Sequence, residues 1–552
     1  MAERSAPLSL WIAATALLSA QTYVAGPQVL TVFSGIDDSD QPYALYLPKS
    51  YDPARRYPLV VSLHGAQSNH RLNLRRVFGR GNLPGETDSE ATRRFPTLRE
   101  VDYMVACPLA RGTMGYQGLP ENDVYDVLAD VRKRFNIDED RIYLTGLSMG
   151  GGGALWLGLT RPDLWAAVAA VCPSVRPGTA ELAPNALNLP VRLFHGSADP
   201  TVPVESSRQW HKRLLEEQVD VDYIEYPGAR HNSWDLAYKD AAIFDWFGKY
   251  RRNRFPARVR FVSAAYRYNS AYWVRLDALT PGTPAAIDAR FTAPNRVEIS
   301  TAALRGFTLT PGGHPSFSAS KPLELAIDGA RHTARAGGEF SFQRTPGGWR
   351  AGAYVHKAGE KRPGAEGPIG AAVAGRHVYI YGTADNPPAA ELERRRQEAA
   401  SAAEWSTPRS RLHLTLRAVA ANQAQESDLA GSNLVLLGTK ETNEVIRRFA
   451  PQLPLELNAG AADYGLVFVY PAGGRYLVVN SGLPFWTGAE YTSRVTRNYA
   501  GRNIVLGSFG DFILFKGSLE HVVAEGRFDD NWRVPSDLAA RLKASGAVEV
   551  KP

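Results

Sequence analysis

Hydrophobic residues in the first 250 positions fall into short runs separated by longer amphipathic stretches. Within the amphipathic stretches, Val124, Val127, Leu128 and Val131 recur at helical spacing. Runs rich in β-branched and aromatic residues predict eight strands, at 30–33, 43–47, 59–63, 103–106, 142–145, 167–171, 191–194 and 222–226. This alternation predicts an α/β fold with a mostly parallel sheet and helices on both faces.

The pattern changes after residue 256. Short strands separated by Gly and Pro, which favour a small β-sandwich, are predicted at 259–262, 272–276, 296–300, 307–309, 323–327 and 339–343. Beyond a Gly/Pro-rich connector, strand and helix patterns alternate again, at 378–381, 390–403, 412–416, 434–437, 444–449, 466–470 and 476–480. We therefore predict an α/β domain at 29–250, a β-sandwich-like domain at 257–350 and a small α/β domain at 370–552.

Composition and charge narrow the possible partners. The chain has 552 residues and a net charge of +7, with Lys and Arg scattered along it rather than clustered. A chain of this length exceeds the roughly 250–300 residues that one core supports, which agrees with several domains. We expect no nucleic-acid partner and, because no stretch approaches 18 apolar residues, no membrane span. Nothing in the sequence indicates an oligomeric state.

The N-terminus has the pattern of an export signal. A short head with one Arg precedes an apolar run at 8–18, which is too short to span a bilayer. We predict a signal peptide at 1–20 and a secreted or periplasmic protein. Glu3 in the head and Leu18 near the cleavage point depart from the usual pattern, and the alternative is a buried first helix.

The two cysteines, Cys107 and Cys172, each end an apolar strand-like run. Two predicted strands lie between those runs, which at ~4.8 Å per strand places the cysteines ~14 Å apart. A disulfide needs Cα atoms within ~7 Å. We predict two free, buried thiols.

The strongest chemical pattern is the pentapeptide Gly-Leu-Ser-Met-Gly at 146–150. It lies between a predicted strand and a predicted helix, where a strained turn exposes a serine hydroxyl and small neighbours relieve crowding. A serine becomes a nucleophile only beside a base and oxyanion donors. The context predicts Ser148 as the nucleophile.

The acid and the histidine of such a site follow the serine in chain order, after the seventh and eighth strands. Asp199 follows the seventh predicted strand and His231 follows the eighth. We expect Asp199 to orient His231, which takes the serine proton and passes it to the leaving group. Glu205 is the rival acid and His211 the rival base, and Asp199 also fits a simple turn or helix cap.

Two backbone N–H groups are needed to bind the oxyanion. One comes from the residue after the nucleophile, Met149, and the other from the loop after the third strand, where Ala66 follows a glycine. We expect His64 in that loop to be structural.

Loops at the carboxyl ends of the strands should line the substrate crevice. These loops include 67–85 and 111–120, and the candidate substrate-binding residues are Tyr116, Gln117 and Trp234. Ordinary loop packing is the alternative for each of them.

These motifs identify a resemblance. The stretches 63–65, 141–151 and 195–199 with His231 resemble the bacterial feruloyl/acetylxylan esterase and polyhydroxyalkanoate depolymerase group, and are similar to the catalytic domain of the prolyl oligopeptidase family. The resemblance covers 41–247. It implies an α/β-hydrolase domain and a metal-free, cofactor-free acyl transfer through an acyl-enzyme on Ser148.

The rest of the chain resembles known proteins less. Prolyl oligopeptidases carry a propeller ahead of this domain, whereas only some 28 residues precede the predicted α/β domain at 29–250 here, which argues against an oligopeptidase. The C-terminal half resembles an uncharacterised extension of such hydrolases at 361–364, 433–438 and 476–482. It implies no function.

The favoured hypothesis is a secreted serine hydrolase that cleaves carboxylic esters of plant polymers or related acyl substrates. One alternative is a peptidase of the same fold. The other is a polymer-binding protein with a subordinate or inactive hydrolase domain, whose stacking platform would be Tyr266, Tyr268, Tyr272 and Trp273. Alternating strand core is the favoured interpretation of those four aromatic residues.

Overall fold

The computed structural model describes residues 23–494 and 501–551, so the predicted signal peptide at 1–20 lies outside the described residues. The first part is an eight-stranded sheet in the order β1-β2-β4-β3-β5-β6-β7-β8. Only β2 runs against its neighbours. The strands are β1 (Gly26–Ser34), β2 (Ser39–Leu47), β3 (Tyr57–Leu63), β4 (Met104–Pro108), β5 (Ile137–Leu147), β6 (Ala167–Val171), β7 (Val191–Gly196) and β8 (Val221–Tyr226).

Helices cover both faces of this sheet, because its central strands are apolar on both sides. In β3 all seven residues are buried, with Val61 in one hydrophobic cluster and Val60 in the opposite one. The predicted mostly parallel eight-stranded sheet is confirmed. Its helices are α1 (His70–Val77), α2 (Asp88–Thr92), α3 (Leu119–Arg134), α4 (Met149–Thr160), α5 (Val204–Glu216), α6 (Trp234–Ala237) and α7 (Ala242–Phe247).

The second part consists of two five-stranded sheets around one apolar core, as the predicted β-rich unit requires. The sequence pattern missed several strands, including β12, whose Ala, Asp and Arg are weak strand formers held in place by pairing with β9 and β13. The strands are β9 (Arg258–Ser263), β10 (Ser270–Ala271), β11 (Val274–Leu279), β12 (Ala285–Ala293), β13 (Arg296–Ala302), β14 (Leu304–Leu309), β15 (Leu323–Ile327), β16 (Ala330–Ala334), β17 (Phe340–Thr345) and β18 (Gly348–Ala351).

The third part is the predicted smaller α/β unit, a seven-stranded sheet in the order β20-β19-β21-β24-β23-β25-β26 with a parallel half and an antiparallel half. β22 and β27 pair separately. Its strands are β19 (His377–Tyr381), β20 (Arg417–Ala420), β21 (Asn433–Leu437), β22 (Leu455–Leu457), β23 (Tyr464–Ala472), β24 (Arg475–Gly482), β25 (Phe512–Lys516), β26 (Val522–Gly526) and β27 (Val548–Val550). Its helices are α8 (Ile369–Ala372), α9 (Ala389–Ala403), α10 (Glu426–Leu429), α11 (Glu444–Phe449), α12 (Arg502–Gly507) and α13 (Ser536–Ala544).

Residues 412–416, predicted as a strand, are not one. They belong to the segment 406–416, called the C-terminal strap below, which begins with a tight turn bridged by Thr407 and Ser410 and then runs along the 109–115 loop of the first sheet. Leu412 bridges Gly112, and the N–H of His413 donates to the carbonyl of Arg111 at 3.2 Å. The alternating leucines of the strap pack against the C-terminal core without joining its sheet, which explains the strand-like pattern.

The four aromatic residues considered as a stacking platform are packing residues. Tyr266 and Trp273 are buried in the second core. The hydroxyl of Tyr268 donates to Glu121 at 2.6 Å, and that of Tyr272 donates to the carbonyl of Pro162 at 3.0 Å. Through Tyr268 and Tyr272, these aromatic residues connect the β-rich part to the helices that pack on the first sheet.

Two further sequence predictions concern the thiols and the membrane. Cys107 and Cys172 are both buried and free, on β4 and just after β6, with β3 and β5 between those strands. This confirms the predicted thiols. In the ranges 23–494 and 501–551, the helices are too short or too polar to cross a bilayer.

Candidate active site

The turn between β5 and α4 holds Ser148 in a strained conformation. Its φ of 54° and ψ of −116° are unfavourable for a side chain with a Cβ atom. The turn is tight enough that a Cβ atom on Gly146 would come within 2.1 Å of the carbonyl of Gly150, and one on Gly150 within 2.2 Å of the carbonyl of Leu63. Only glycine fits at both positions, so the motif spacing is set by this close approach.

Three side chains from three strand ends meet at this turn. Nε2 of His231, after β8, lies 3.0 Å from Oγ of Ser148. Nδ1 of the same ring lies 2.7 Å from Oδ2 of Asp199, after β7. The structure therefore brings together the serine, the histidine and the acid that the sequence singled out.

The carboxylate of Asp199 is held from several sides. Its Oδ1 accepts the backbone N–H groups of Thr201 at 2.8 Å and Val202 at 3.0 Å. Burial alone would raise its pKa, but the hydrogen bond to His231 and the two backbone donors outweigh it and leave the pKa lowered. Asp199 is thus an ionised acceptor at neutral pH.

The rival residues lie elsewhere. Glu205 is exposed on α5 and forms a salt bridge with Arg208 at 2.8 Å. His211, also on α5, packs its ring against Tyr223 with 5.4 Å between ring centroids. Neither contacts the serine.

A second histidine at this site was not assigned a role from the sequence. His195 at the end of β7 is completely buried, with Nε2 3.2 Å from Oδ2 of Asp199 and Nδ1 2.7 Å from Oγ of Ser207. Its position four residues before Asp199, at a strand end, is the only sequence signal that could have identified it.

The two predicted oxyanion donors line one cavity with Ser148. Met149 is the first residue of α4, where an N–H has no helical partner. Ala66 precedes Gln67, whose own N–H donates to Oγ1 of Thr113 at 2.8 Å. His64 is buried, its ring nitrogens face the carbonyls of Gly65 and Leu109, and burial lowers its pKa, which fits a structural residue.

The cavity has a volume of about 330 Å³. Tyr116 and Gln117 line it, and the Tyr116 hydroxyl donates to the carbonyl of His64 at 3.1 Å. Trp234 instead packs its ring edge-on against His231, with 5.4 Å between centroids. Ile504 of α12 also lines the cavity, so the C-terminal part reaches the site, a contact that no sequence pattern indicated.

Among the described residues, one cluster of three side chains has the ligand types and the spacing of a metal site. The ligand atoms of Cys172, Asp199 and His231 lie within 4.8 Å of one another. Metal binding needs a thiolate, whereas burial raises the pKa of Cys172 to about 12 and its Sγ donates to the carbonyl of His231 at 3.4 Å. The group fits a proton relay with a packed thiol better than a metal site.

Comparison with known proteins gives a consistent picture. Residues 123–244, which include Ser148, Asp199 and His231, match the phospholipase/carboxylesterase family model. A cutinase from Thermobifida alba is 29% identical over 119 residues, 22% of this chain and 38% of the cutinase, so the match spans well under half of that protein.

Among solved structures, a thermostable esterase is 28% identical with a TM-score of 0.34, covering 41% of this chain and 63% of that one. A ferulic acid esterase from Anaeromyces mucronatus, solved with ferulic acid, is 15% identical with a TM-score of 0.32, covering 42% of this chain and 92% of that one. The strand order, the turn at Ser148 and the family match agree. The part of this chain built on the eight-stranded sheet has the α/β-hydrolase fold, and residues 123–244 within it are similar to the phospholipase/carboxylesterase family.

Proposed function

We propose that this protein is a secreted serine hydrolase that cleaves carboxylic esters through an acyl-enzyme on Ser148, with Asp199 and His231 completing the triad. The observation that carries the proposal is the continuous relay from Oγ of Ser148 through His231 to Oδ2 of Asp199, at 3.0 and 2.7 Å. An aligned relay beside a cavity is the arrangement that activates a serine.

The reaction follows from this geometry. Oγ of Ser148 attacks the ester carbonyl carbon while its proton passes to Nε2 of His231, and the carbonyl oxygen becomes an oxyanion facing the N–H groups of Met149 and Ala66. When the C–O bond breaks, the alcohol leaves with the proton from His231. The acyl group remains bonded to Ser148.

Water then completes the cycle. His231 takes a proton from a water molecule, whose oxygen attacks the acyl carbon, and a second oxyanion forms at the same two N–H groups. As it collapses, Ser148 takes the proton back and the carboxylic acid is released. Ionised Asp199 stabilises the imidazolium in both half-reactions.

The direct test is covalent labelling of the full chain with a fluorophosphonate, together with turnover of short p-nitrophenyl esters. We expect the wild type to be labelled and active, and Ser148→Ala to lose both. Ser174→Ala is the matched control, because Ser174 lines the same cavity and its hydroxyl is outside the relay. Equal labelling of wild type and Ser148→Ala would refute the proposal.

A second measurement separates an esterase from a peptidase of the same fold. We expect chromogenic esters to be cleaved faster than proline- or alanine-terminated peptide amides, because a leaving amine needs firmer protonation by His231. Faster cleavage of the amides would contradict the ester assignment.

Export is proposed from the sequence of the leader. The apolar run at 8–18 supports it. To test export, the full chain and a form that lacks residues 1–20 are expressed. The amount of each protein is then measured in the cytoplasm and outside the inner membrane. Retention of both forms in the cytoplasm would contradict export.

A further inference from the structure

One arginine side chain lies in the wall of the cavity that contains Ser148. Arg176, in the loop after β6, lines the cavity that contains Ser148. Its Nη2 donates to the carbonyl of Met114 at 2.9 Å. Among the residues that the structure describes, no carboxylate forms a salt bridge with Arg176.

The guanidinium of Arg176 therefore has N–H donors left for a ligand, besides the one that donates to the Met114 carbonyl. An arginine offers five N–H donors and stays protonated, and the Met114 carbonyl uses one of them. Arg176 is exposed where it lines the cavity, and desolvation by the surrounding protein lowers the pKa of its guanidinium. Arg111 differs from Arg176 in this respect, because two carboxylates balance its charge: Asp37 at 2.7 Å and Asp123 at 2.6 Å.

The surroundings of Arg176 favour an anion. No Asp or Glu occurs among the described residues that line the Ser148 cavity. Beyond Thr113 a second cavity of about 740 Å³ continues along the C-terminal strap, whose Arg409, Arg411 and His413 line it. Its lining within the described ranges holds no carboxylate either. A substrate that extends from the first cavity on this side therefore meets the guanidinium groups of Arg409 and Arg411.

We propose that the substrate is an ester that carries a carboxylate, and that Arg176 binds this carboxylate while the ester reaches Ser148. This inference rests on the proposed esterase function and names its substrate class. A guanidinium pairs with a carboxylate through two parallel N–H bonds, which gives geometric selectivity as well as affinity. A cavity of about 330 Å³ has room for one short carboxylate-bearing part of the substrate. The rest of a longer acidic substrate would follow the strap.

This arrangement gives the C-terminal part a role in substrate selection. Ile504 borders the Ser148 cavity, and the strap forms the far wall of the neighbouring one. Arg411 is exposed and forms no ion pair with the described residues. We expect it to contribute for substrates long enough to reach the second cavity and to be dispensable for short ones.

The test compares matched anionic and neutral esters on the full chain. For the acyl side, the pair is 4-nitrophenyl hydrogen glutarate and 4-nitrophenyl pentanoate, which have equal chain lengths. For the alcohol side, the pair is the butanoate ester of 4-hydroxybenzoate and that of its methyl ester. The variants are Arg176→Gln and Arg176→Lys. Arg213→Gln is the control, because Arg213 also donates to one backbone carbonyl, that of Ala180 at 3.0 Å, outside the cavity.

We expect one pair to show a preference for its anionic member, and the pair identifies the side on which the carboxylate lies. Arg176→Gln should lower kcat/KM for that member by about 10- to 100-fold and leave its neutral partner within about twofold. Arg176→Lys should restore part of the loss, and Arg213→Gln should change neither. High salt should weaken the preference.

Two results would overturn the inference while leaving the esterase proposal intact. One is a preference for the neutral member in both pairs, with turnover that depends on Ser148. The other is an equal loss for both members in Arg176→Gln, which would mean that Arg176 only holds the Met114 loop. No Ser148-dependent turnover of any of the four esters would instead refute the esterase proposal.

Discussion

His195 and Asp199 are four residues apart in the chain, and Nε2 of His195 lies 3.2 Å from Oδ2 of Asp199. The same oxygen lies 2.7 Å from Nδ1 of His231. A buried histidine therefore contacts the proposed triad acid, and its Nε2 also lies 3.0 Å from the carbonyl oxygen of Val202. His195 is in turn positioned by Ser207, at 2.7 Å from Nδ1, so the acid is supported by the interior of the domain.

This contact predicts that His195 is a positioning residue. We expect His195→Gln to lower kcat by about 10-fold, because a small displacement of a catalytic group costs activity steeply. KM for a short neutral ester should stay constant, since His195 does not line the cavity. His211→Gln is the control and should leave kcat unchanged. A rise in KM with constant kcat would contradict the assignment.

Replacing the acid tests the relay. Asp199→Asn should reduce kcat by on the order of a thousandfold to ten-thousandfold, because an amide neither holds the required tautomer nor stabilises the imidazolium. Steady-state ester hydrolysis measures this loss. Glu205→Gln removes the rival acid, which is exposed and paired with Arg208, and should have no effect. The reverse ranking of the two variants would assign the acid to Glu205.

The lowered pKa of Asp199 predicts a pH dependence of stability. A carboxyl group whose pKa is lower in the folded protein stabilises the fold above its unfolded pKa, about 4, and this contribution is lost as pH falls through the folded pKa. The difference in unfolding free energy between wild type and Asp199→Asn should be largest at neutral pH and shrink in acid. Denaturant unfolding at several pH values measures it. A difference that grows in acid would contradict the direction of the shift.

The turn at the nucleophile predicts a steric requirement. Gly150→Ala places a Cβ atom 2.2 Å from the carbonyl of Leu63, so backbone must move. We expect a loss of stability of about 1–3 kcal/mol, measured by urea unfolding, and strongly reduced fluorophosphonate labelling of Ser148. Gly35→Ala is the control, because no atom lies within 4 Å of the added Cβ. Full labelling of Gly150→Ala would show that the turn tolerates the added atom.

The contact between the first sheet and the C-terminal strap depends on Arg111. It is fully buried, pairs with Asp37 and Asp123, and donates to the carbonyl of His413 at 3.2 Å. Arg111→Gln leaves two buried carboxylates uncompensated, and we expect a loss of about 3–5 kcal/mol of stability by chemical denaturation.

The control for Arg111 is Arg376→Gln. Arg376 joins the same two parts of the chain through an exposed ion pair with Asp38, and we expect it to contribute less than about 1 kcal/mol. Equal losses in the two variants would show that burial does not distinguish these contacts.

Much of the α/β-hydrolase domain could be predicted from the sequence. The short apolar runs predicted the eight strands, because a strand that is buried on both faces of a sheet is hydrophobic at successive positions. Ser148, Asp199 and His231 could be predicted because each follows the carboxyl end of a strand. Folds of this class place their catalytic residues at that edge of the sheet. The strand predicted at 412–416 was wrong, since alternation alone does not distinguish a sheet strand from a segment outside a sheet that packs on another domain.

The amino-acid sequence by itself determined the fold of the first part, and it predicted the nucleophile and the order of its partners, because these depend on local patterns of burial and turn chemistry. Only the tertiary structure decided which residues surround them. The contact of Arg111 with His413 joins positions 302 residues apart, and Ile504 enters the Ser148 cavity from α12. Contacts across such distances leave no periodic trace in the chain. The contact of buried His195 with Asp199 and the position of Arg176 in the wall of the Ser148 cavity likewise appear only when the strand ends are brought together.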